Sequence, residues 1–249
     1  MTAVPILLLD QTDSTNAEAR RRADAGDTGP VWIVARRQTS GRGRRGREWV
    51  SDTGNLAATL LMTTAKPAAE AAQVTFVAAL AVADLLDTFV VPGSVTIKWP
   101  NDVLIRGEKA SGILVESGMH ASGQLWLAVG IGVNLAHAPV DTERPATSMG
   151  SHLRPDIAYA PPIEAAAEVL ADAFSVWRDR WETLGFQPVL DAWTVRTPGL
   201  QQPCVARLGN ETVTGTADGV APDGSLRMRL ADGSLRLISA GDVFFNEAA

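Results

Sequence analysis

Cysteine is nearly absent: the chain has one, Cys204. A lone thiol excludes an internal disulfide and a cysteine-based zinc site, and it suits the reducing cytoplasm. Within QQPCVARL, Cys204 reads as a small apolar residue of a β-segment rather than as a nucleophile. No run of 18 or more apolar residues occurs, so neither a membrane span nor a membrane partner is expected. The opening MTAVPILLLD lacks a basic stretch and meets an acidic residue at Asp10. It therefore reads as a short strand rather than a signal peptide, and a cytoplasmic location is expected. Net positive charge is missing too. With 22 basic against 28 acidic residues the formal charge is -6, which argues against general DNA or RNA binding. Lysine is scarce: only Lys66, Lys98 and Lys109 occur. In so arginine-biased a chain a lysine marks a place where a compact ammonium is wanted. Lys98 and Lys109 bracket one segment, KWPNDVLIRGEK.

What is present is ordinary for a globular protein: 249 residues, 46% apolar and 20% charged. A chain of this length buries roughly 70 to 75% of its unfolded surface and suits one large domain plus a small one. VPILLLD reads as a strand. TDSTNAEARRRADAG reads as a helix capped by Asp13 or Ser14 and ended by Gly26. VWIVARR and NLAATLLM are strands, and residues 67 to 90 are expected to form one long apolar helix starting near Pro67. Three strands should follow, SVTIKW, KASGILVES and QLWLAVGIGVN, with GEK and ASGQ as turns. A polar, proline-rich connection from about His137 to Pro162 leads to an amphipathic helix, IEAAAEVLADAFSVWRDRWETL. From about Thr197 the sequence changes to short alternating runs split by Gly, Asp and Asn turns, the pattern of a β-barrel of about fifty residues. The expected fold class is α+β: a mixed β-sheet packed with helices over residues 1–196, followed by a small β-barrel over 197–249.

Residues 38 to 49 read QTSGRGRRGREW. Glycine lets backbone approach a ligand closely, and arginine presents a planar fork of donors to carboxylate or phosphate. Together they make a donor-rich flap for an anion. No Gly-Lys-Ser/Thr follows, so this is not a Walker A loop. Taken alone, the loop is equally compatible with an RGG-like RNA-binding segment. The surroundings favour a flap over a pocket: DSTN, KWPNDV, KASGIL and VGIGVN set polar or glycine punctuation among apolar strands.

These stretches together resemble the biotin–protein ligase family. Asp13 to Asn16 is similar to its D-S/T-T-N motif, Gln38 to Trp49 to its ligand-binding loop, GRGRxGRxW, and Trp99 to Asp102 to its WPND. Lys109 to Leu114 resembles K-x-x-G-I-L, Gly130 to Asn134 resembles G-I-G-x-N, and Ala146 to Ser148 is similar to an A-T-S before a helix. The resemblance runs from about Leu9 to the C-terminus. It implies a class II synthetase-like catalytic fold with a C-terminal SH3-like barrel. Motifs that begin near residue 10 leave no room for the N-terminal DNA-binding domain of some members, so repression is not expected. Ser111 stands where the family usually has Ala or Gly, and is expected to narrow the pocket or add a hydrogen bond.

The implied reaction has two steps. Biotin's carboxylate attacks the α-phosphate of ATP, giving biotinyl-AMP and pyrophosphate. A lysine of a biotin carboxyl carrier domain then attacks the mixed anhydride. By resemblance, Lys109, Arg44 and Asp102 are the catalytic candidates, Asp102 lying near the acceptor lysine. Ser14, Thr15, Asn16, Gln38, Arg42, Gly43, Arg44, Lys109, Gly112 and Gly130 are the biotin-binding candidates. Arg44, Arg45, Arg47, Trp49, Lys109 and Asn134 are those for ATP. Mg²⁺ is expected to travel with ATP, held by phosphate oxygens and water rather than by a protein metal site. The loop over 41–48 is expected to be disordered until ligand arrives, and the fold admits a homodimer. Lipoate–protein ligase is the nearest alternative, sharing fold and adenylation chemistry. A non-catalytic biotin sensor is a second alternative, which the retained Lys109 and the loop arginines disfavour.

Overall fold

The computed structural model describes residues 3–140, 142 and 144–245. Its larger sheet is built from β1 (Ile6–Leu9), β2 (Val31–Ala35), β3 (Leu56–Thr64), β4 (Val95–Lys98), β5 (Asp102–Ile105), β6 (Glu108–Met119) and β7 (Leu125–Val133). They lie in the order β1-β2-β3-β7-β6-β5-β4. β1 and β2 run parallel, and the other neighbours are antiparallel.

Both faces of the sheet are covered, so its central strands read as nearly continuous apolar runs. On β7, Leu127, Val129, Ile131 and Val133 join the main core. Trp126 and Ala128 face the other way, and Gly130 and Gly132 continue that second face because side chains alternate. Helices α3 (Val74–Phe89) and α4 (Ile163–Leu184) cover the first face, with α5 (Gln187–Val195) packed on both helices. Helix α1 (Thr15–Asp24) covers the second face. The run Ala68–Phe89 is long and apolar enough to cross a membrane, with mean hydropathy 1.6, but most of it is buried in this core.

Several elements differ from the sequence reading. The expected helix over 67–90 is split into a single turn, α2 (Ala68–Ala71), and α3. The break falls at Gln73, whose carboxamide is gripped from two sides: it accepts from Trp181 Nε1 at 2.8 Å and donates to Pro222 O at 2.7 Å. Four strands, not three, follow α3, because Asp102–Ile105 pairs back on β4 as a hairpin around Trp99-Pro100-Asn101. Its four-residue run beside a Pro/Asn turn is too short to announce itself. The next turn is Arg106-Gly107, both with positive φ (52° and 86°), so Lys109 sits inside β6 rather than in the turn. Helix α5 was not foreseen. The Ala146–Ser148 stretch leads into a single 3-10 turn, Met149–His152. Ser14 stands at the N-cap of α1 but makes no side-chain cap bond.

The C-terminal segment forms a second, antiparallel sheet: β8 (Pro203–Arg207), β9 (Thr212–Val220), β10 (Leu226–Arg229), β11 (Leu235–Ile238) and β12 (Asp242–Phe245), in the order β11-β10-β9-β8-β12. Its inner residues, Cys204, Ala206, Val213, Met228 and Val243 among them, belong to the same contiguous core as the large sheet. Burial pushes the Cys204 thiol up to about 11, which fits its apolar reading. Trp99 Nε1 donates to Gly224 O at 3.0 Å, so the β4–β5 turn is fastened to this module.

Candidate active site

On the α1 side of the large sheet lies a cavity of about 250 Å³. Its floor is bare strand. A Cβ on Gly130 would fall 2.0 Å from Asn16 Oδ1, and one on Gly132 would fall 2.3 Å from the Trp49 indole. Gly112 is tight as well, with Trp49 at 3.1 Å. The glycines therefore make room for Asn16 and for an indole lying across the sheet.

The first turn of α1 forms one wall. Ser14, Thr15 and Asn16 are buried there. Gln38 Oε1 accepts from Thr15 N at 2.8 Å and from Thr15 Oγ1 at 3.1 Å, so Gln38 supplies the helix cap that Ser14 does not. Thr59 of β3, fully buried, places its hydroxyl 2.7 Å from Asn16 Oδ1 and 2.8 Å from Thr15 Oγ1. Asn16 Nδ2 donates to Leu114 O at 3.2 Å and to Glu116 Oε2 at 2.8 Å. Asn16 thus ties α1 to β3 and β6, with its carboxamide engaged at both ends. Ser111 is buried but does not line the cavity, and its hydroxyl has no partner among the described residues.

The arginine-rich segment folds as a small hairpin over the opening. Gly43 N donates to Arg47 O at 2.7 Å and Trp49 N to Gly41 O at 2.9 Å. Arg45 (φ 58°) and Gly46 (φ 73°) turn the chain in left-handed conformations. The four arginines are held by three partners. Arg42 reaches Glu116 Oε2 at 3.1 Å, and Arg44 reaches Asn101 Oδ1 at 3.1 Å. Arg45 Nη1 donates to Asp242 Oδ2 at 3.3 Å, and Arg47 grips the same carboxylate with both terminal nitrogens. Burial, then the Arg45 charge, pushes the Arg44 pKa down, yet a guanidinium stays protonated. Burial works to raise the Asp242 pKa, but the Arg47 hydrogen bond and the charges of Arg47, Arg45 and Arg144 outweigh it and hold the group low.

Lys109 enters from β6. Its Nζ lies 2.6 Å from Asp102 Oδ1 across the β5–β6 pair and 5.7 Å from the Trp49 ring centre. Its backbone is pinned by the 137–162 connection: Lys109 N donates to Pro145 O at 3.0 Å, and Thr147 N donates to Lys109 O at 2.9 Å. Asn134, at the end of β7, is 1% exposed; its Nδ2 donates to Thr147 O at 3.0 Å, while its Oδ1 is buried with no partner among the described residues. A buried orphan acceptor is costly, so a ligand donor is wanted there.

Residues 8–134 match the profile of the biotin/lipoate A/B protein ligases, and residues 199–246 match the biotin protein ligase C-terminal domain. The chain belongs to the biotin/lipoate A/B protein ligase family. It is 42% identical to the biotin–[acetyl-CoA-carboxylase] ligase of Paracoccus denitrificans, over 96% of this chain and 99% of that one. It is 32% identical to the bifunctional ligase/repressor BirA of Bacillus subtilis, over 93% of this chain and 71% of that one. In fold it resembles the biotin protein ligase of Aquifex aeolicus solved with biotin and ATP: TM-score 0.78, 23% identity, covering 97% of this chain and 99% of that one.

All the residues that the resemblance proposed for a family member's biotin and ATP sites line this one cavity. Sequence reasoning missed others: Thr59, Glu116, Arg144 and Asp242, and any role for Asn101. Glu116 had a legible signal, since it follows Gly112 and Leu114 on one face of a strand. Asp242 had none, because it lies 195 residues from Arg47.

Proposed function

We propose that this chain is a biotin–protein ligase that adenylates biotin with ATP and passes the biotinyl group to a lysine of a biotin carboxyl carrier domain. One observation carries the site assignment. Lys109, braced by Asp102, and four arginines, anchored on Glu116, Asn101 and Asp242, face a single cavity floored by glycine. Bringing a carboxylate to a polyphosphate means bringing like charges together. Cations held in place beforehand lower that barrier without reorganising during the reaction.

In this reading Ser14, Thr15 and Gln38 meet the ureido head of biotin, with Asn16 holding the helix turn that presents them. Arg42, Gly43 and Arg44 close over its carboxylate side, and Gly112 and Gly130 keep the floor low. Lys109 sits between the carboxylate and the α-phosphate. Arg45 and Arg47 take phosphate oxygens, Trp49 shields the intermediate, and Asn134 receives a donor from adenine. Asp102 orients Lys109 and lies close enough to steer the incoming acceptor amine. Three carboxylates around the cavity are already engaged: Asp102 with Lys109, Asp242 with Arg45 and Arg47, Glu116 with Arg42 and Asn16. That suits a Mg²⁺ chelated by the nucleotide, where it offsets phosphate charge. A catalytic unit over 1–196 with a barrel over 197–249, a cytoplasmic location and the absence of a DNA partner belong to the same proposal. So does a homodimer, for which β1 offers an outer sheet edge.

The test is product analysis by mass spectrometry with Mg²⁺-ATP, biotin or lipoate, and a carrier domain. Biotinyl-AMP followed by a biotinylated carrier lysine is expected. Lys109→Ala should slow adenylate formation by about 100- to 1000-fold, the usual effect of losing one preorganised electrostatic contact. Lipoyl-AMP in its place would move the chain to the lipoate branch of the family.

A further inference from the structure

A second group of cations, which the motifs do not include, reaches the cavity wall through Arg144. They gather on Phe244 of β12, two residues from Asp242 and therefore on the same face of that strand. Arg144, which lines the cavity, places its guanidinium carbon 4.1 Å from the Phe244 ring centre. Lys98 Nζ lies 5.4 Å from that centre, and Arg207 Cζ lies 4.3 Å from it. Neither Lys98 nor Arg144 has a carboxylate within ion-pairing distance among the described residues. An aromatic face holds them instead, and its attraction is weak compared with that of an anion. Burial above all, then the neighbouring Arg144 charge, pushes the Lys98 ammonium down to about 8. Two cations are thus crowded together and partly desolvated beside Arg45 and Arg47. Such crowding is unfavourable unless a polyanion completes it.

We propose that Lys98 and Arg144, seated on Phe244 of the C-terminal barrel, bind the β- and γ-phosphates of ATP and the pyrophosphate that leaves, with Asp242 positioning Arg45 and Arg47 at the same site. This rests on the ligase reading above. When a carboxylate oxygen bonds to the α-phosphorus, the bond from that phosphorus to the α,β-bridging oxygen breaks. The bridging oxygen keeps the electron pair and departs with pyrophosphate, so charge builds up there. Lys98 and Arg144 stand where that charge is met, and they give the barrel a direct part in the first step.

The experiment compares wild type with Arg144→Ala, Arg144→Lys, Lys98→Met and Lys98→Arg. It measures biotinyl-AMP formation against ATP and biotin, inhibition by inorganic pyrophosphate, and transfer from purified biotinyl-AMP to a carrier domain. The alanine and methionine variants should raise KM for ATP and the inhibition constant for pyrophosphate at least tenfold. KM for biotin, inhibition by AMP and transfer from supplied biotinyl-AMP should stay within twofold, because none of these involves the outer phosphates. The charge-preserving variants should recover most of the loss. Arg144 lies in the connection outside the core, so its variants keep the proposal testable if Lys98→Met fails to fold. Unchanged ATP and pyrophosphate constants would overturn the proposal, as would a loss confined to transfer from biotinyl-AMP, which would place these cations on the acceptor's path. A wild type that makes no biotinyl-AMP would instead defeat the ligase reading itself.

Discussion

At the scale of single residues, the site depends on atoms that are absent. Gly130 is the sharpest case, since a methyl group there would fall 2.0 Å from Asn16 Oδ1. Asn16 cannot retreat, because Thr59, Leu114 and Glu116 hold its carboxamide. Gly130→Ala should therefore destabilise the fold by about 1–3 kcal/mol, the range for overpacking a close-packed position. A urea midpoint shift would show it, and an unchanged midpoint would mean that α1 is less firmly held than its hydrogen bonds indicate. Gly132 is different. Its neighbour is the outer end of the Trp49 side chain, which has somewhere to go, so a methyl there displaces an indole rather than a helix.

Among elements, the arginine hairpin has the least support of its own. Its turn carries a non-glycine residue, Arg45, at φ 58°, and none of its residues from Arg42 to Glu48 is buried. What fastens it is charge: Glu116, Asn101 and Asp242 each hold one or two of its arginines. Exposed pairs of this kind contribute little individually and weaken with salt. The sequence reading of a loop disordered without ligand becomes a prediction here. Trypsin should cut first at Arg42 to Arg47, faster at high salt, and biotin with Mg²⁺-ATP should slow that cleavage severalfold. Identical digestion with and without ligands would remove a closing flap from the mechanism. The hairpin's glycines and arginines were legible from composition. Its fold was not, because its hydrogen bonds depend on the register between Gly43 and Arg47 and its partners come from three other parts of the chain.

For the whole molecule, the C-terminal module is part of the catalytic body. Its core is continuous with that of the large sheet, Gln73 and Trp99 donate to its backbone carbonyls, and Asp242 reaches the arginine hairpin. The two parts should unfold together. Trp99→Phe removes the indole donor to Gly224 O and should cost about 1–2 kcal/mol, as an unsatisfied buried carbonyl and a lost hydrogen bond do. Unfolding followed by near-UV circular dichroism and by hydrogen exchange in β9 and β7 should stay a single transition at a lower midpoint. Two separate transitions would show that the barrel is only appended.

Local chemistry is what the amino-acid sequence determined. The apolar runs of β3 and β7, the apolar stripe of α4, the turn residues of the barrel and the order of the motifs all depend on neighbours a few positions apart, so they can be read from the chain directly. The placement of Lys109 opposite Asp102 was half legible, since both lie in one short segment, but the β5 hairpin that makes them face each other was not. The tertiary structure alone decided that Thr59 and Glu116 brace Asn16, that Gln38 rather than Ser14 caps α1, and that Asp242 and Arg144, the latter seated on Phe244, complete the cavity wall. Those contacts join residues tens to nearly two hundred positions apart. Their pairing follows from how the sheets and helices pack around a shared core, and no local pattern in the sequence encodes it.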